Sequence, residues 1–181
     1  PAGPTTLKAG QTLWGAGALF NLNGLLIPAG TAPALMSTVT LANNVAVRGL
    51  VINGGAGPAV LATGLTGVEL LENLNITGGS SGLNLLNLGG TLTMSFGSIS
   101  GVTSGADVLV SGGTGTVNIG ATIANAGGRS VDVQNRTAGA ITFSGSITDT
   151  GTGILLASNG GSSIAFTGGL NLSTGANPAF T

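Results

Sequence analysis

Residues 129–152 read RSVDVQNRTAGAITFSGSITDTGT. Val131 and Val133 alternate with Asp132, which sets two valines on one side of a strand and an acid on the other. Asn135 to Gly139 is a turn-rich break. Ile141 and Phe143 then alternate with Thr142 in a second strand, and Gly145 interrupts it. Ile147 anchors a third strand, and the stretch from Asp149 to Gly153 returns the chain to the next unit. Alternation in such short bursts does not suit a helix, which needs a longer window of 3.6-residue periodicity.

The same register returns every 21 to 25 residues along the chain. Ile52, Ile76, Ile99, Ile123, Ile147 and Leu172 form one series. Val47, Leu70, Met94, Ile119, Phe143 and Phe166 form a second, and Val39, Val60, Leu83, Val108, Val131 and Ile154 a third. Three series in phase mean three strands per repeat. A unit of this length cannot bury its apolar side alone and must stack on its neighbours. The expected fold class is therefore all-β: a right-handed parallel β-helix (β-solenoid) with three short strands per coil of about 23–24 residues. Six coils are expected at 37–58, 59–81, 82–105, 106–128, 129–152 and 153–178, with 179–181 opening a seventh. Residues 37–181 would be regular coils, and 1–36 one long, loop-bearing coil serving as a cap, all within one continuous domain. In that first segment Trp14 and Phe20 are expected to cover the open interior or a loop. Parallel stacking at about 4.8 Å per coil gives a rod roughly 30–35 Å long. Phe143 and Phe166 should lie on one another.

Composition suits a narrow aliphatic interior: 42% of residues are hydrophobic but only 3% aromatic. Charged residues are 5% of the chain, against the high charge and low hydrophobicity of disordered segments. Four Lys and Arg at a net charge of −1 cannot neutralise a run of phosphates, so no nucleic-acid partner is expected. No polybasic anchor is present. No apolar run is long enough to span a membrane: the most apolar patch, 24–36, is broken by Pro28, Gly30 and Pro33. The absence of Cys excludes disulfides, Cys-type metal sites and thiol redox chemistry. The chain opens on Pro1 without an initiator Met and is expected to derive from a longer one.

Two phrases carry a family resemblance. Residues 10–17 read GQTLWGAG and residues 39–52 read VTLANNVAVRGLVI. Both, with GRSVDVQNRTAGAITFSGSITDTGTGILL at 128–156, resemble the right-handed parallel β-helices of large bacterial surface proteins, within the pectin-lyase-like superfamily. That group spans polysaccharide lyases and hydrolases, autotransporter passengers and adhesin stalks. The resemblance implies an extracellular or bacterial cell-surface setting, and fold alone does not choose among the functions.

Catalytic groups are scarce. The five acids are Glu69, Glu72, Asp107, Asp132 and Asp149. A glycosidase needs two carboxyls facing one bond, about 5–9 Å apart. Glu69 is expected to point out of a strand and Glu72 to sit at the following corner, a solvated pair. Asp132 is expected to face outward, with Asp149 just past a third strand. Arg129 is expected within reach of Asp107 one coil below, and Arg136 beside Asp132, as a surface ion-pair group of small individual worth. Residues 78–82 match G-x-S-x-G, but the chain has no His for a Ser–His–acid relay. Gly54 to Gly57 lacks the Asp of the calcium-binding β-helix repeat, and no phosphate-binding loop occurs. Asn75, Asn135 and Asn171 begin glycosylation sequons of the kind an Asn- and Thr-rich chain produces by accident. No catalytic residue, cofactor or metal is expected.

One polar face remains. Asn53, Thr77, Ser100, Ala124, Thr148 and Ser173 are expected in one outward file of the third strands. Val51, Asn75, Ser98, Thr122, Ser146 and Asn171 are expected in the other. The candidate binding residues are Asn53, Thr77, Ser98, Ser100, Thr122, Ser146, Thr148, Asn171 and Ser173. Such ladders bond across coils and solubilise the face, or meet a glycan or ice. The leading expectation is a non-enzymatic rod or stalk that presents other parts of its parent chain. A glycan- or ice-binding module comes second and a polysaccharide-active enzyme third. End-to-end self-association is expected from unpaired terminal strands.

Overall fold

The computed structural model describes residues 3–181, in which the chain is all β and carries no helix. The expectation for 1–36 thus reaches two residues outside the described ones. A first sheet of seven short strands runs from Thr5–Thr6 to Ile154–Ala157, each strand parallel to the next in chain order. Its interior register is the third sequence series: Val39, Val60, Leu83, Val108, Val131 and Ile154 pair in turn. Six steps from first rung to last make a parallel β-solenoid of about six turns, spaced at roughly 4.8 Å. Phe180 then bridges in parallel to Ile154 and begins a further rung.

The second and third faces form one 12-stranded sheet. They are joined because Val68–Gly78 and Thr91–Ser100 run through the intervening corner without a break. The corner turns on left-handed residues: Gly49 at φ 63°, Asn73 at 51° and Phe96 at 62°. Asn and Gly adopt this region readily, whereas a bulky aromatic there is an outlier. Phe96 carries no sequence signal for this role, and the residue is 68% exposed.

Two ladder positions differ from the sequence register. Val47 and Met94 both pair with Leu71, not Leu70. Glu69 takes an inward slot opposite Leu92, so Leu70 faces out and Leu71 in. In the last coil Ile147 pairs with Leu170, while Leu172 stands opposite Asp149. The turn before that strand keeps the spacing of the coils below, Phe166 to Leu170 matching Phe143 to Ile147, so Leu172 packs against the core one pair further on. Elsewhere the ladders hold, and their residues form one continuous apolar cluster from Leu7 to Ile154. Phe143 and Phe166 stack with centroids 5.0 Å apart and ring planes 10° from parallel.

The first segment is a coil with an insertion. Thr5–Thr6, Thr12–Trp14 and Ala34–Leu35 supply one strand to each face. Between the last two, Phe20–Leu22 and Leu25–Ile27 form an antiparallel hairpin. Trp14 does not cover the interior, because Leu13 takes the inward position opposite Val47. Trp14 lies on the outer surface, edge-on to Phe20 at the base of the hairpin, 4.9 Å between centroids.

Close stacking makes one glycine a test of this geometry. Gly97 has φ 92°, and a Cβ there would run into the carbonyl of Leu74 in the coil below. Gly55 also has positive φ, 64°, but open space around it. Gly97→Ala should cost about 2–3 kcal/mol and Gly55→Ala about 1 kcal/mol, read as a difference in thermal midpoint. Equal losses would contradict the close approach of coils at this corner.

Candidate functional site

The polar face exists as two exposed files, with changes at its ends. Asn75 stands between Val51 and Ser98, and Ser98 pairs with Thr122. The amide oxygen of Asn75 accepts a hydrogen bond from the Ser98 hydroxyl at 3.1 Å. Ser100, Ala124, Thr148 and Asn171 pair in sequence as the second file. Asn171 thus belongs to the Thr148 file rather than the Ser146 file. The cause is the same register that pairs Leu170 with Ile147. Ser173 falls past the strand end, where its N–H donates to the Asp149 carbonyl at 2.8 Å. Asn53 pairs with Gly78 across a bulge, not with Thr77, and its side chain accepts from the Gly55 N–H at 2.9 Å. Thr77, Thr122, Ser146 and Thr148 are exposed on the remaining flat surface.

The charged residues sort differently from their expected places. Glu72 is not at the corner but on the outer side of the second face, opposite Arg48, and the two form an ion pair. The Arg48 guanidinium lies 5.1 Å from the centre of the Trp14 ring. This is the one ion pair among the described residues. Glu69 is buried, with one carboxylate oxygen accepting from the Asn44 N–H at 3.2 Å and the other unpartnered. Burial raises its carboxyl above the ordinary range. Arg136 is not a surface partner of Asp132. It is buried at the corner after the first face and donates to the carbonyls of Gly112 and Gly115. Burial pulls its guanidinium below the usual value. Asp132 instead accepts from the Gln134 amide at 2.6 Å.

Four polar residues gather inside the solenoid, where coils 106–128 and 129–152 turn from the third face into the first. Asp107, Asn125, Ser130 and Asp149 are all buried. Asp107 stands opposite Ser130 in the first sheet, between the pairs Ala106–Arg129 and Val108–Val131. Asn125 stands opposite Asp149 in the third. Within the lower coil, the Asn125 amide donates to Asp107 Oδ2 at 3.0 Å. Within the upper coil, the Ser130 N–H donates to Asp149 Oδ2 at 2.9 Å. The four therefore close a square, two residues per coil. Asp149 is the last residue of its strand and points inward, not past the strand end. Arg129 does not reach Asp107, and its guanidinium donates to the Thr152 carbonyl at 3.4 Å. With no cation beside it, burial pushes the Asp107 carboxyl up to about 7, against the pull of the Asn125 hydrogen bond and with a push from the Asp149 charge.

The quartet holds the wall of a surface cleft. Asn125 Oδ1 accepts from the N–H groups of Gly127 and Gly128 at 2.9 and 2.7 Å, and Asp149 Oδ1 from Gly151 at 2.7 Å. Gly127 and Gly128 line a cleft of about 330 Å³ together with Gly105, Arg129, Asp132 and Thr152. Sequence reading missed this grouping. The available signal was an acid, an amide and a hydroxyl at positions that the two preceding coils fill with Gly or Ala. Among the described residues no three His, Cys, Asp or Glu side chains come together as a metal site.

These features define the class: a parallel β-solenoid with an aliphatic interior, one exposed polar face and one buried polar quartet. Comparison with protein families, curated proteins and solved structures finds no match.

Proposed function

We propose that this chain is a non-enzymatic rod, a segment of a bacterial surface or secreted protein that spaces or presents other parts of its parent chain. In this reading it is a right-handed parallel β-helix of the pectin-lyase-like kind, set in an autotransporter passenger or adhesin. The observation that carries the reading is the unbroken aliphatic ladder of the first face: Val39 to Ile154 stack coil on coil and fill the space that a channel would need. A filled parallel stack transmits bending strain through every rung, which is what a spacer requires. Its partners are the rest of the parent chain and further copies stacked end to end.

The test is incubation of the purified chain with acidic and neutral polysaccharides, following new reducing ends. No cleavage is expected. Cleavage that disappears in Arg129→Ala would overturn the reading and make the cleft an active site. A second reading, a module that binds glycan or ice through the third face, is favoured by the two exposed hydroxyl and amide files. The same preparation on a glycan array and in a thermal-hysteresis assay addresses it. A signal lost in Thr148→Leu would move this reading ahead of the rod.

A further inference from the structure

We propose that Asp107, Asn125, Ser130 and Asp149 form a proton-dependent clasp, which fastens coil 106–128 to coil 129–152 in acid and loosens the corner that carries the cleft as the medium turns alkaline. The argument begins with charge. Two carboxyls lie inside the stack, in adjacent coils, both fully buried. A buried carboxylate is costly unless a cation or several donors face it. Asp149 has donors: the N–H groups of Ser130 and Gly151. Asp107 has one, the Asn125 amide, and its Oδ1 has no partner. The Ser130 hydroxyl, opposite Asp107 in register, is also buried without a partner. A proton on Asp107 resolves the shortage, because it removes the uncompensated charge from a carboxyl with a single donor.

No cation takes the proton's place. The strands packed against Asp107 are Leu83–Leu86 below, Arg129–Gln134 above and Thr122–Asn125 beside it. Their charged residues are Arg129 and Asp132. Both face the outer surface, Arg129 bonded to Thr152 and Asp132 to Gln134. Asp149 adds a like charge. Arg48, Glu69, Glu72 and Arg136 are engaged elsewhere, with Asn44, with carbonyl groups or with each other. Ionised, Asp107 keeps one hydrogen bond and faces a second carboxylate across one coil spacing. The strain falls on Asn125, which also ties down Gly127, Gly128 and the Arg129 carbonyl. Loss of the proton is thereby transmitted to the cleft wall.

The direction follows from linkage. The unfolded Asp107 carboxyl releases its proton near pH 4 and the folded one near pH 7. Between those values the folded chain binds more protons, so stability falls as pH rises and levels off above about pH 8. The thermal midpoint of the intact chain should drop by about 10 °C between pH 4.5 and 8. Asp107→Asn, the isostere of the neutral acid, should remove most of that drop and melt above the parent at pH 8. Glu69 titrates in the same direction, so Glu69→Gln is the control and should keep the larger part of the drop. Hydrogen exchange localises the effect. After correction for hydroxide catalysis, the Gly127, Gly128 and Gly151 amides should lose protection at least tenfold between the two pH values, and Gly54 should not. A carboxyl carbon titration of Asp107 in the parent protein reads the same event without any substitution. A midpoint near 4, or a pH slope that survives in Asp107→Asn, would overturn the clasp.

Discussion

Ile123→Asp should leave the chain without a cooperative fold at 25 °C, whereas Thr122→Asp, one residue away, should melt within a few degrees of the parent. Ile123 is 2% exposed and lies in register between Ile99 and Ile147. A carboxylate there has no donor within its own rung, and two residues further on stand Asn125 and the Asp107 and Asp149 carboxyls, which oppose a third charge. The cost of an unpaired buried charge, added to a lost isoleucine, is at least about 5 kcal/mol. That approaches the whole stability of a typical domain. Thr122 is exposed on the polar face, where a solvated acid disturbs little. Ile123→Val, which keeps the shape, should cost about 1 kcal/mol. Circular dichroism and limited proteolysis distinguish these results. Because each coil touches only its neighbours, cleavage in Ile123→Asp should begin within 106–152. An aspartate tolerated at 123 would mean that the third-face ladder points the other way.

Most of the fold was legible because strand alternation has a period of two and each coil repeats it. Val108 and Val131, Ile119 and Phe143, and Ile99 and Ile123 all pair as their spacing requires. The two slips have separate causes. Leu71 replaces Leu70 because Glu69 enters the interior, and an acid in an inward slot contradicts hydrophobic patterning. Leu170 replaces Leu172 because Leu170, Asn171 and Leu172 alternate equally well in either register. In a strand with two leucines, pattern alone does not fix which one meets Ile147.

The site was less legible for a different reason. Sequence reading places charge outside by default, and three ionisable side chains are inside: Glu69, Asp107 and Asp149, joined by the guanidinium of Arg136. Three of the four are held by backbone groups, Glu69 by Asn44, Arg136 by Gly112 and Gly115, and Asp149 by Ser130 and Gly151, while Asp107 is held by the Asn125 side chain. Backbone partners leave no mark on sequence. The polar face was readable because it is alternation seen from outside. Its misplacement at Asn171 and Ser173 repeats the Leu170 slip, whereas the displacement of Asn53 comes from the bulge at Gly78.

Phe143→Ala should lose about 3–5 kcal/mol, and Phe166→Ala about half of that, although the two rings form one stack. Phe143 is 1% exposed, with Ile119 beneath it and Phe166 above. Truncation removes most of a buried aromatic and leaves a cavity that two rigid β rungs cannot close, which sets the large value. The 5.0 Å parallel contact with Phe166 adds about 1 kcal/mol beyond area. Phe166 keeps part of its surface in solvent and meets Phe180 edge-on at 6.1 Å. Its removal lets Phe180 settle toward Phe143, which offsets part of the loss. Urea unfolding followed by hydrogen exchange separates the two variants. In Phe143→Ala, protection should fall in coils 129–152 and 153–178 and persist near Val47 and Val60, because coupling passes only from coil to neighbouring coil. Equal losses for the two variants would place the weight of the stack in its last rung, and the second-face ladder would then be packed from its end rather than from its middle.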